Sequence, residues 1–402
     1  MPGTNALPHP SANRPRRSLR GFLFVILILA ALHGYIAWRL LPSLLPVPLS
    51  ITWYGWPVLL LAVLALLLST LLIPLSLASG SLRVSHRQGD RIAWAGSLLM
   101  GWFSSLLVMT LLRDIVQGVL GVMAALPPVY ASNSATVVVT LSLAVTLVGF
   151  FNARRLARVV DIDIPISNLA PALAGFTIIQ LSDIHVGPTI KRRYVEAIVK
   201  RVNGLGADLV AITGDVVDGS VKQLAQHTAP LGKLDSRHGT YVVTGNHEYY
   251  SGASAWMTEF RRLGMQALMN EHVVLQHDGA ELVVGGITDY SAHHFDLAQR
   301  SDARKAIAGA PGQTTSVLLA HQPRSAKGAA DAGFDLQLSG HTHGGQFWPW
   351  NLFVRLQQPY TAGLARLGKL WVYTSRGTGY WGPPKRFGAP SEITRLRLVA
   401  AA

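Results

Sequence analysis

The chain has 402 residues, of which 50% are hydrophobic and only 14% are charged, against roughly 25% charged in an average soluble domain. This deficit excludes a wholly soluble protein and a disordered one. Residues 1–160 carry 12 arginines, no lysine and two aspartates, whereas residues 161–402 carry 23 basic and 19 acidic residues. We therefore divide the chain near residue 160. Cysteine is absent, so any metal must be held by nitrogen and oxygen ligands.

The first part of the chain is predicted to be a membrane region. A basic tail, residues 1–20, is expected to be disordered, and four apolar stretches are long enough to span a bilayer as helices: 21–42, 51–78, 92–112 and 135–151. Residues 115–127 are also apolar, but this stretch of about 13 residues is short for a crossing. We expect it to be re-entrant or interfacial, and we expect residues 154–171 to be a linker.

The arginines predict which side of the membrane the second part occupies. With four crossings, ten arginines lie on one side and only Arg39 and Arg113 lie on the other. A fifth crossing would move the three arginines at 154, 155 and 158 to the other side and change the division to seven against five. Because arginine accumulates on the cytoplasmic side of membrane proteins, we predict a multi-pass protein whose second part is cytoplasmic. The five-span alternative would place that part on the opposite side.

From residue 176 onward, five apolar strands each end in polar residues. A predicted amphipathic helix, Lys191–Gly206, separates the first two strands and indicates a parallel βαβ unit. Carboxyl ends of parallel strands collect ligands at one edge of a sheet. The polar residues that follow these five strands are Asp183, His185, Asp215, Asn246, His247, His321, His341 and His343.

A metal centre explains why so many polar residues follow buried strands. Burying them together without a partner would cost several kcal/mol each. Carboxylate, imidazole and amide ligands without thiolate suit Mn, Fe, Zn or Mg. Eight candidates are too many for one ion, so we predict a pair of divalent ions. Such pairs, about 3.5 to 4 Å apart, clamp both oxygens of a displacement at phosphorus.

The order of these motifs resembles the calcineurin-like metallophosphoesterase superfamily. Its five blocks appear here in sequence as Asp183-Ile184-His185, Gly214-Asp215-Val216-Val217-Asp218, Gly245-Asn246-His247-Glu248, His321 and Gly340-His341-Thr342-His343. The following Gly344-Gly345-Gln346 is similar to the membrane-associated YkuE/YaeI-type branch. The resemblance implies an α/β metallophosphoesterase fold over residues 172–400, in which two packed β-sheets are flanked by helices, preceded by an all-α multi-span region.

The resemblance also implies a role for each residue. One ion would be held by Asp183, His185, Asp215 and His343, and a second by Asp215, Asn246, His321 and His341. Asp215 would then bridge the two ions. His247 would be the catalytic residue, acting as general acid or transition-state stabiliser, while Asp218 and Glu248 would orient ligands. Arg376 and Arg386 are our candidates for substrate binding, because arginine recognises phosphate through paired hydrogen bonds.

These features predict a membrane-anchored enzyme that hydrolyses a phosphodiester or pyrophosphate bond by attack of a metal-activated hydroxide. The anchor suits a lipid-linked substrate in the bilayer, and equally a soluble one. Nucleic acid is not expected, because most of the positive charge lies in the membrane part. The alternative is a non-catalytic membrane sensor, against which the complete ligand set argues. The aromatic run from Phe347 to Phe353 fits either an interfacial segment or core packing.

Overall fold

The computed structural model describes residues 19–45, 55–78, 84–123 and 127–401. Its first part is four helices, each long and apolar enough to cross a membrane: α1 (Leu19–Leu44), α2 (Gly55–Leu77), α3 (His86–Met123) and α4 (Pro128–Arg154). The tail predicted to be disordered lies outside the described residues, apart from Leu19 and Arg20, which begin α1. The start of the second predicted span, residues 51–54, is also outside them.

Residues 115–123 of the short apolar stretch do not form a segment of their own but continue α3, and residues 124–126 lie outside the described part of the chain. The 38 residues of α3 extend about 57 Å at ~1.5 Å per residue. The two charged residues that follow the predicted span 92–112 have partners inside the bundle. Asp114 accepts hydrogen bonds from Nε and Nη2 of Arg39 at 2.8 and 2.9 Å, and the buried Arg113 donates to Ser134 at 2.9 Å.

The expected linker is also wrong, because most of it is an edge strand. Residues Arg158–Ile166 form β1, which pairs in parallel with the last strand of the chain. Its sequence alternates aspartate and isoleucine, the period of a half-buried strand. Asp161 and Asp163 form ion pairs with Arg395 and Arg397 across the pairing. We had interpreted the arginines at 154–158 only as a topology signal and overlooked this alternation.

The second part contains twelve strands among the described residues. In chain order these are β1, β2 (Thr177–Leu181), β3 (Leu209–Ile212), β4 (Thr240–Val242), β5 (Gln266–Ala267), β6 (Glu271–His277), β7 (Ala280–Gly286), β8 (Thr315–Leu319), β9 (Leu336–Ser339), β10 (Gly363–Leu367), β11 (Leu370–Thr374) and β12 (Glu392–Ala400). They form two six-stranded sheets, ordered β1-β12-β2-β3-β4-β5 and β10-β11-β9-β8-β7-β6. This architecture confirms the predicted fold class.

The helices of the second part among the described residues are α5 (Arg192–Asn203), α6 (Val221–Thr228), α7 (Asn246–Ser251), α8 (Ala253–Arg262), α9 (Ala303–Ile307), α10 (Ala326–Ala332) and α11 (Trp350–Phe353). Of these, α5, α6 and α8 pack on the outer face of the first sheet, and α9 and α10 pack on that of the second. The inner faces pack on each other through buried residues such as Ile178, Tyr241, Leu319 and Leu338. Strands β2, β3 and β4 are mutually parallel, as are β7, β8 and β9. Their carboxyl ends therefore deliver side chains to the same end of the sandwich.

Candidate metal centre

The eight polar residues singled out in the sequence meet at this end of the sandwich. The first sheet contributes the loops after β2, β3 and β4, which carry Asp183 and His185, Asp215, and Asn246 and His247. The second sheet contributes the loops after β8 and β9, which carry His321 and the pair His341 and His343. Residues up to 160 positions apart in the chain are thus brought into one cluster because the two sheets pack face to face.

The backbone of these loops has a conformation that few side chains adopt. Asp183, His185, Asp215, His341 and His343 all have φ between 51° and 70°, in the left-handed region that non-glycine residues rarely occupy. Residues held in this region collect at functional sites, where the surrounding structure overcomes a cost of about 1 to 3 kcal/mol each. The loops are therefore shaped to present side chains rather than to minimise backbone energy.

Gly340 shows how tightly these loops approach each other. A Cβ atom at this position would lie 1.9 Å from Oγ of Ser182 and 2.1 Å from Oδ2 of Asp183. No other residue fits without displacing the Asp183 carboxylate. The glycine before His341 is therefore required by the close approach of β9's loop to β2's loop.

The first group of ligand atoms consists of Asp183, His185 and His343. Nε2 of His343 lies 3.1 Å from Nε2 of His185 and 3.4 Å from Oδ1 of Asp183. All three residues are buried. Two imidazole nitrogens and a carboxylate oxygen that face one another at these distances form a half-shell for a cation.

The second group consists of Asp215, His321 and His341. Nε2 of His321 lies 3.1 Å from Oδ2 of Asp215, and Nδ1 of His341 lies 3.3 Å from Nε2 of His321. The same Oδ2 atom of Asp215 is 3.9 Å from Nε2 of His185 in the first group. Asp215 therefore stands between the two groups, where a bridging carboxylate would be needed.

Asn246 supplies independent support for a cation beside the second group. Its Oδ1 atom is buried and has no hydrogen-bond partner. A buried amide oxygen without a partner costs about 1 to 3 kcal/mol, and such orphaned groups in a native site call for an ion or another unseen partner. The amide oxygen that the resemblance implied as a metal ligand is the one left free.

Asp218 contacts the Nδ1 atoms of two of the histidines. Its Oδ1 atom lies 2.9 Å from Nδ1 of His185 and 2.6 Å from Nδ1 of His247. Each contact leaves the opposite ring nitrogen, Nε2, directed toward Asp215, at 3.9 Å in both cases. Partners of this kind fix the tautomer and the ring orientation of ligands. The structure therefore places Asp218 where the sequence suggested an orienting residue.

Glu248 acts on backbone rather than on ligands directly. Its carboxylate accepts hydrogen bonds from the N–H groups of Gly245, Asp215 and Val216 at 2.7, 2.9 and 2.8 Å. It is fully buried, and burial, followed by the repulsion of Asp215, raises its pKa to about 7. Glu248 thus joins the loops after β3 and β4 and fixes where Asp215 stands.

Burial and neighbouring charges shift the pKa values of the cluster histidines in different directions. Burial alone would lower the pKa of His321, but Asp215 outweighs it and holds that pKa well above its ordinary value. Burial, followed by nearby cationic groups, lowers the pKa of His341 to about 4 and holds that of His343 well below its usual range. Both rings are then neutral, the form that binds metal. The donor set, its spacing and its charge fit divalent ions.

The two arginines proposed for substrate binding lie in different environments. Arg386 is 1% exposed, and its guanidinium donates to the carbonyls of His343 and Arg376 at 2.9 and 2.8 Å. This burial is incompatible with direct substrate contact, so our prediction for Arg386 is wrong. Arg376 is partly exposed and pairs with Glu392 at 3.0 Å. Its role in substrate binding stays a prediction.

Two residues beside the cluster were missed in the sequence. The ring of Trp381 packs against that of His247 with centroids 5.7 Å apart, and 46% of the residue is exposed. Lys385 is 1% exposed and inserts between α3 and α4. The sequence did contain a signal for these residues, the run from Trp381 to Arg386. In this run a glycine and two prolines precede a basic pair, a composition unlike that of an ordinary solvated loop.

The aromatic run after the last ligand is mostly exposed. Phe347 is buried, but the residues after it form, with Trp381, a surface that we call the aromatic patch, made up of Trp348, Trp350, Leu352, Phe353, Leu356 and Trp381. Leu356 is 82% exposed. Nε1 of Trp350 donates to Oγ of Ser104 on α3 at 2.8 Å. The patch is therefore continuous with the apolar helices and reaches the rim of the ligand cluster.

Comparisons with known proteins agree with this geometry. The family model for calcineurin-like phosphoesterases matches residues 176–345. A Bos taurus protein named transmembrane protein with metallophosphoesterase domain is 40% identical over 275 residues, covering 65% of this chain and 62% of that protein. An uncharacterized metallophosphoesterase of Campylobacter jejuni is 33% identical over 299 residues, covering 73% of this chain and 78% of that protein.

The matches do not cover the full length of this chain or of its relatives. The chain spans 62% of the length of the bovine relative. A solved dimetal phosphatase from Danio rerio covers 51% of this chain and 88% of its own, at 13% identity and a TM-score of 0.32. That likeness is too low to carry an argument.

Proposed function

The chain belongs to the calcineurin-like metallophosphoesterase family, and we propose that it is a membrane-anchored enzyme that hydrolyses a phosphodiester or pyrophosphate bond with two divalent ions. One observation carries the proposal: two groups of ligand atoms share the carboxylate of Asp215, whose Oδ2 lies 3.1 Å from His321 and 3.9 Å from His185. A sensor has no need of a shared carboxylate between two cation sites. The metal could be Mn, Fe, Zn or Mg.

We propose a ligand set for each ion, which the two groups of ligand atoms support and in which the resemblance and the unpartnered Oδ1 atom support Asn246. Asp183, His185 and His343 would hold one ion, His321, His341 and Asn246 the other, and Asp215 both. Bound there, the two ions would supply Lewis acidity toward the phosphoryl oxygens and an activated water as nucleophile. The protein's own part is to fix the ligand positions through the left-handed backbone and through Asp218 and Glu248.

His247 is the residue proposed to move a proton. Burial alone would lower its pKa, but Asp215 and Asp218 outweigh burial and raise that pKa to about 9. In the metal-free protein the ring is therefore a cation near neutral pH. A protonated Nε2 at this position would donate to an oxygen that leaves the phosphorus. Its side chain is 15% exposed, so it reaches the surface of the cluster. Trp381 contacts this ring in a T-shaped arrangement, with centroids 5.7 Å apart.

We propose further that the substrate is a phosphoester carried on a lipid. The aromatic patch is apolar, exposed, bonded to α3 through Trp350 and in contact with His247 through Trp381. Tryptophan is enriched where a protein meets the membrane surface. A lipid whose acyl chains lie against this patch would bring its phosphate to the rim of the cluster without leaving the bilayer.

The first test measures hydrolysis of bis(p-nitrophenyl) phosphate by the full chain in detergent with added Mn²⁺. We expect metal-dependent turnover that is lost in His341→Ala and in Asn246→Ala, while both variants remain folded by thermal melting. Wild-type protein that binds two ions but hydrolyses neither this ester nor phospholipids in mixed micelles would favour the non-catalytic sensor.

The lipid part has its own test. Leu356→Ser removes an exposed apolar side chain of the aromatic patch, and Val274→Ser, on the edge strand β6, is the matched control. We expect Leu356→Ser to raise KM for a phosphoester lipid in mixed micelles and to leave KM for bis(p-nitrophenyl) phosphate unchanged. Equal effects on both substrates, or none on either, would refute a lipid-facing site.

A further inference from the structure

One loop of the catalytic part is built into the helical bundle. We call residues 381–389 the docking loop. Its Lys385 side chain inserts between α3 and α4, where Nζ donates to the carbonyl of Gly101 at 2.9 Å, to Thr146 at 3.2 Å and to the hydroxyl of Ser105. These acceptors lie well inside the helices rather than at their ends. A buried ammonium needs all of its donors satisfied, so this contact is specific to the folded bundle.

The fit between α4 and the docking loop depends on a glycine. The backbone N–H of Arg386 donates to the carbonyl of Gly149 at 2.8 Å, and Asn152 donates to the carbonyl of Arg386 at 3.3 Å. A Cβ atom at Gly149 would lie 2.6 Å from Cγ of Lys385, closer than real Cβ contacts allow. The loop therefore lies directly on the backbone of α4.

On its other side, the docking loop holds the last metal ligand. The guanidinium of Arg386 donates to the backbone carbonyl of His343 at 2.9 Å. This bond fixes the backbone of the residue whose Nε2 atom lies 3.4 Å from Oδ1 of Asp183. The Nη1 and Nη2 atoms also donate to other carbonyls, including those of Arg376 and Gly379, whereas the buried Nε has no partner among the described residues.

The segment that carries this ligand depends on outside support. His343, Gly344, Gly345 and Gln346 have positive φ in succession, at 51°, 58°, 77° and 58°. No regular element has this backbone. Gln346 is tied to the docking loop by its amide, which donates to the carbonyls of Trp381 and Pro383 at 2.9 and 3.0 Å.

We propose that α3 and α4 form part of the scaffold of the metal centre, and that Arg386 is a positioning residue through which the helical bundle holds His343. The helices then do more than anchor an independent enzyme. This inference rests on the proposed function, because it concerns the ion held by Asp183, His185 and His343. It makes no assumption about the substrate.

The test changes the bundle and measures the metal. Gly149→Val places a side chain where Lys385 lies, and Gly118→Val on α3 is the matched control, because no atom lies within 4 Å of a Cβ there. Mn²⁺ binding to the full chain in detergent is measured by equilibrium dialysis and by electron paramagnetic resonance, which distinguishes a coupled pair from a single ion. Arg386→Lys is the second variant, since lysine keeps the charge but loses the fork of donors.

We expect wild type and Gly118→Val to bind two ions as a coupled pair. Gly149→Val and Arg386→Lys should weaken one of the two by about 10- to 100-fold, the usual effect of losing a partner behind a ligand, and should show the spectrum of a single ion. Two ions bound with wild-type affinity in both variants would overturn the inference. Equal loss of both ions would also overturn it, since the effect would then be general unfolding. Wild type that binds no pair would contradict the proposed function instead.

Discussion

Replacing Asp218 by asparagine removes a negative charge beside two histidines but keeps an oxygen atom that can contact both rings. Oδ1 of the aspartate lies 2.9 Å from His185 and 2.6 Å from His247, and an amide oxygen also has two lone pairs for these contacts. The charge, however, is lost. The rise in the pKa of His247 from 6.5 to about 9 is worth about 3 kcal/mol at ~1.36 kcal/mol per pH unit. Asp215 and Asp218 are its two main sources, so we assign about 1 to 2 kcal/mol to Asp218.

The assay follows the stability of metal-free protein against pH. A histidine whose folded pKa is raised stabilises the fold fully below its unfolded pKa, near 6.5, and this stabilisation is lost as pH rises through about 9. We expect thermal stability to fall across this window in wild type, and by about 1 to 2 kcal/mol less in Asp218→Asn.

The control is Asp163→Asn, which breaks an exposed ion pair with Arg397. Such pairs contribute little, and its pH profile should match wild type. With metal present, Asp218→Asn should also lower affinity for one ion by about 10-fold. A pH profile of Asp218→Asn that is superimposable on wild type would refute the role given to this carboxylate.

Three further outcomes are expected. Asn246→Ala should abolish tight binding of the second ion. Its loss of activity should exceed the about 10- to 100-fold that follows when a residue hydrogen-bonded to a ligand is removed, while the thermal stability of the metal-free protein stays unchanged. Full activity would show that Oδ1 is not a ligand. Removing metal with EDTA should stop hydrolysis. It should also lower the free energy of unfolding by about 2.7 kcal/mol relative to the protein in Mn²⁺ at 100 times its Kd, and added Mn²⁺ should restore both activity and stability. Turnover that resists EDTA would contradict a metal enzyme. The natural chain has no cysteine, so a single introduced cysteine can report the side of the membrane. Ser254→Cys, in the catalytic part, should react with an impermeant maleimide only in inverted vesicles, and Val122→Cys, at the far end of α3, only in right-side-out vesicles. The reverse pattern would place the catalytic part outside the cytoplasm.

The ligand cluster could be predicted from the sequence because each ligand follows a buried strand directly. A short polar turn after an apolar run leaves its side chains little freedom, so Asp183 or His341 can be placed at a strand end without knowing the fold. The four apolar helices are equally local, since about 20 uncharged residues form a span whatever surrounds them. The hairpin of β6 and β7 is also a local feature, because its two-residue turn, Asp278-Gly279, has φ of 50° and 87°, values that aspartate and glycine readily adopt.

The errors all concern contacts between distant parts of the chain. Strand β1 was taken for a linker because its partner β12 lies over 230 residues later. The predicted span 92–112 is shorter than α3, which continues past Asp114 because the partner of that charge, Arg39, is on another helix. Arg386 was taken for a substrate-binding residue because arginine recognises phosphate through paired hydrogen bonds, whereas its partners here are carbonyls of residues far from it in sequence, such as His343. In each case a single local segment was compatible with two structures.

The sequence by itself therefore determined which polar residues follow the strands, the family, and the division into apolar helices and a phosphoesterase part. These depend on local patterns, which neighbouring residues set by sterics and by burial of apolar side chains. Only the tertiary structure decided that Asp215 stands between two ligand groups, that Asp218 serves two histidines, and that Lys385 and Arg386 join the bundle to His343. These contacts arise when two sheets and four helices pack together, and their energy depends on distances that no stretch of sequence contains.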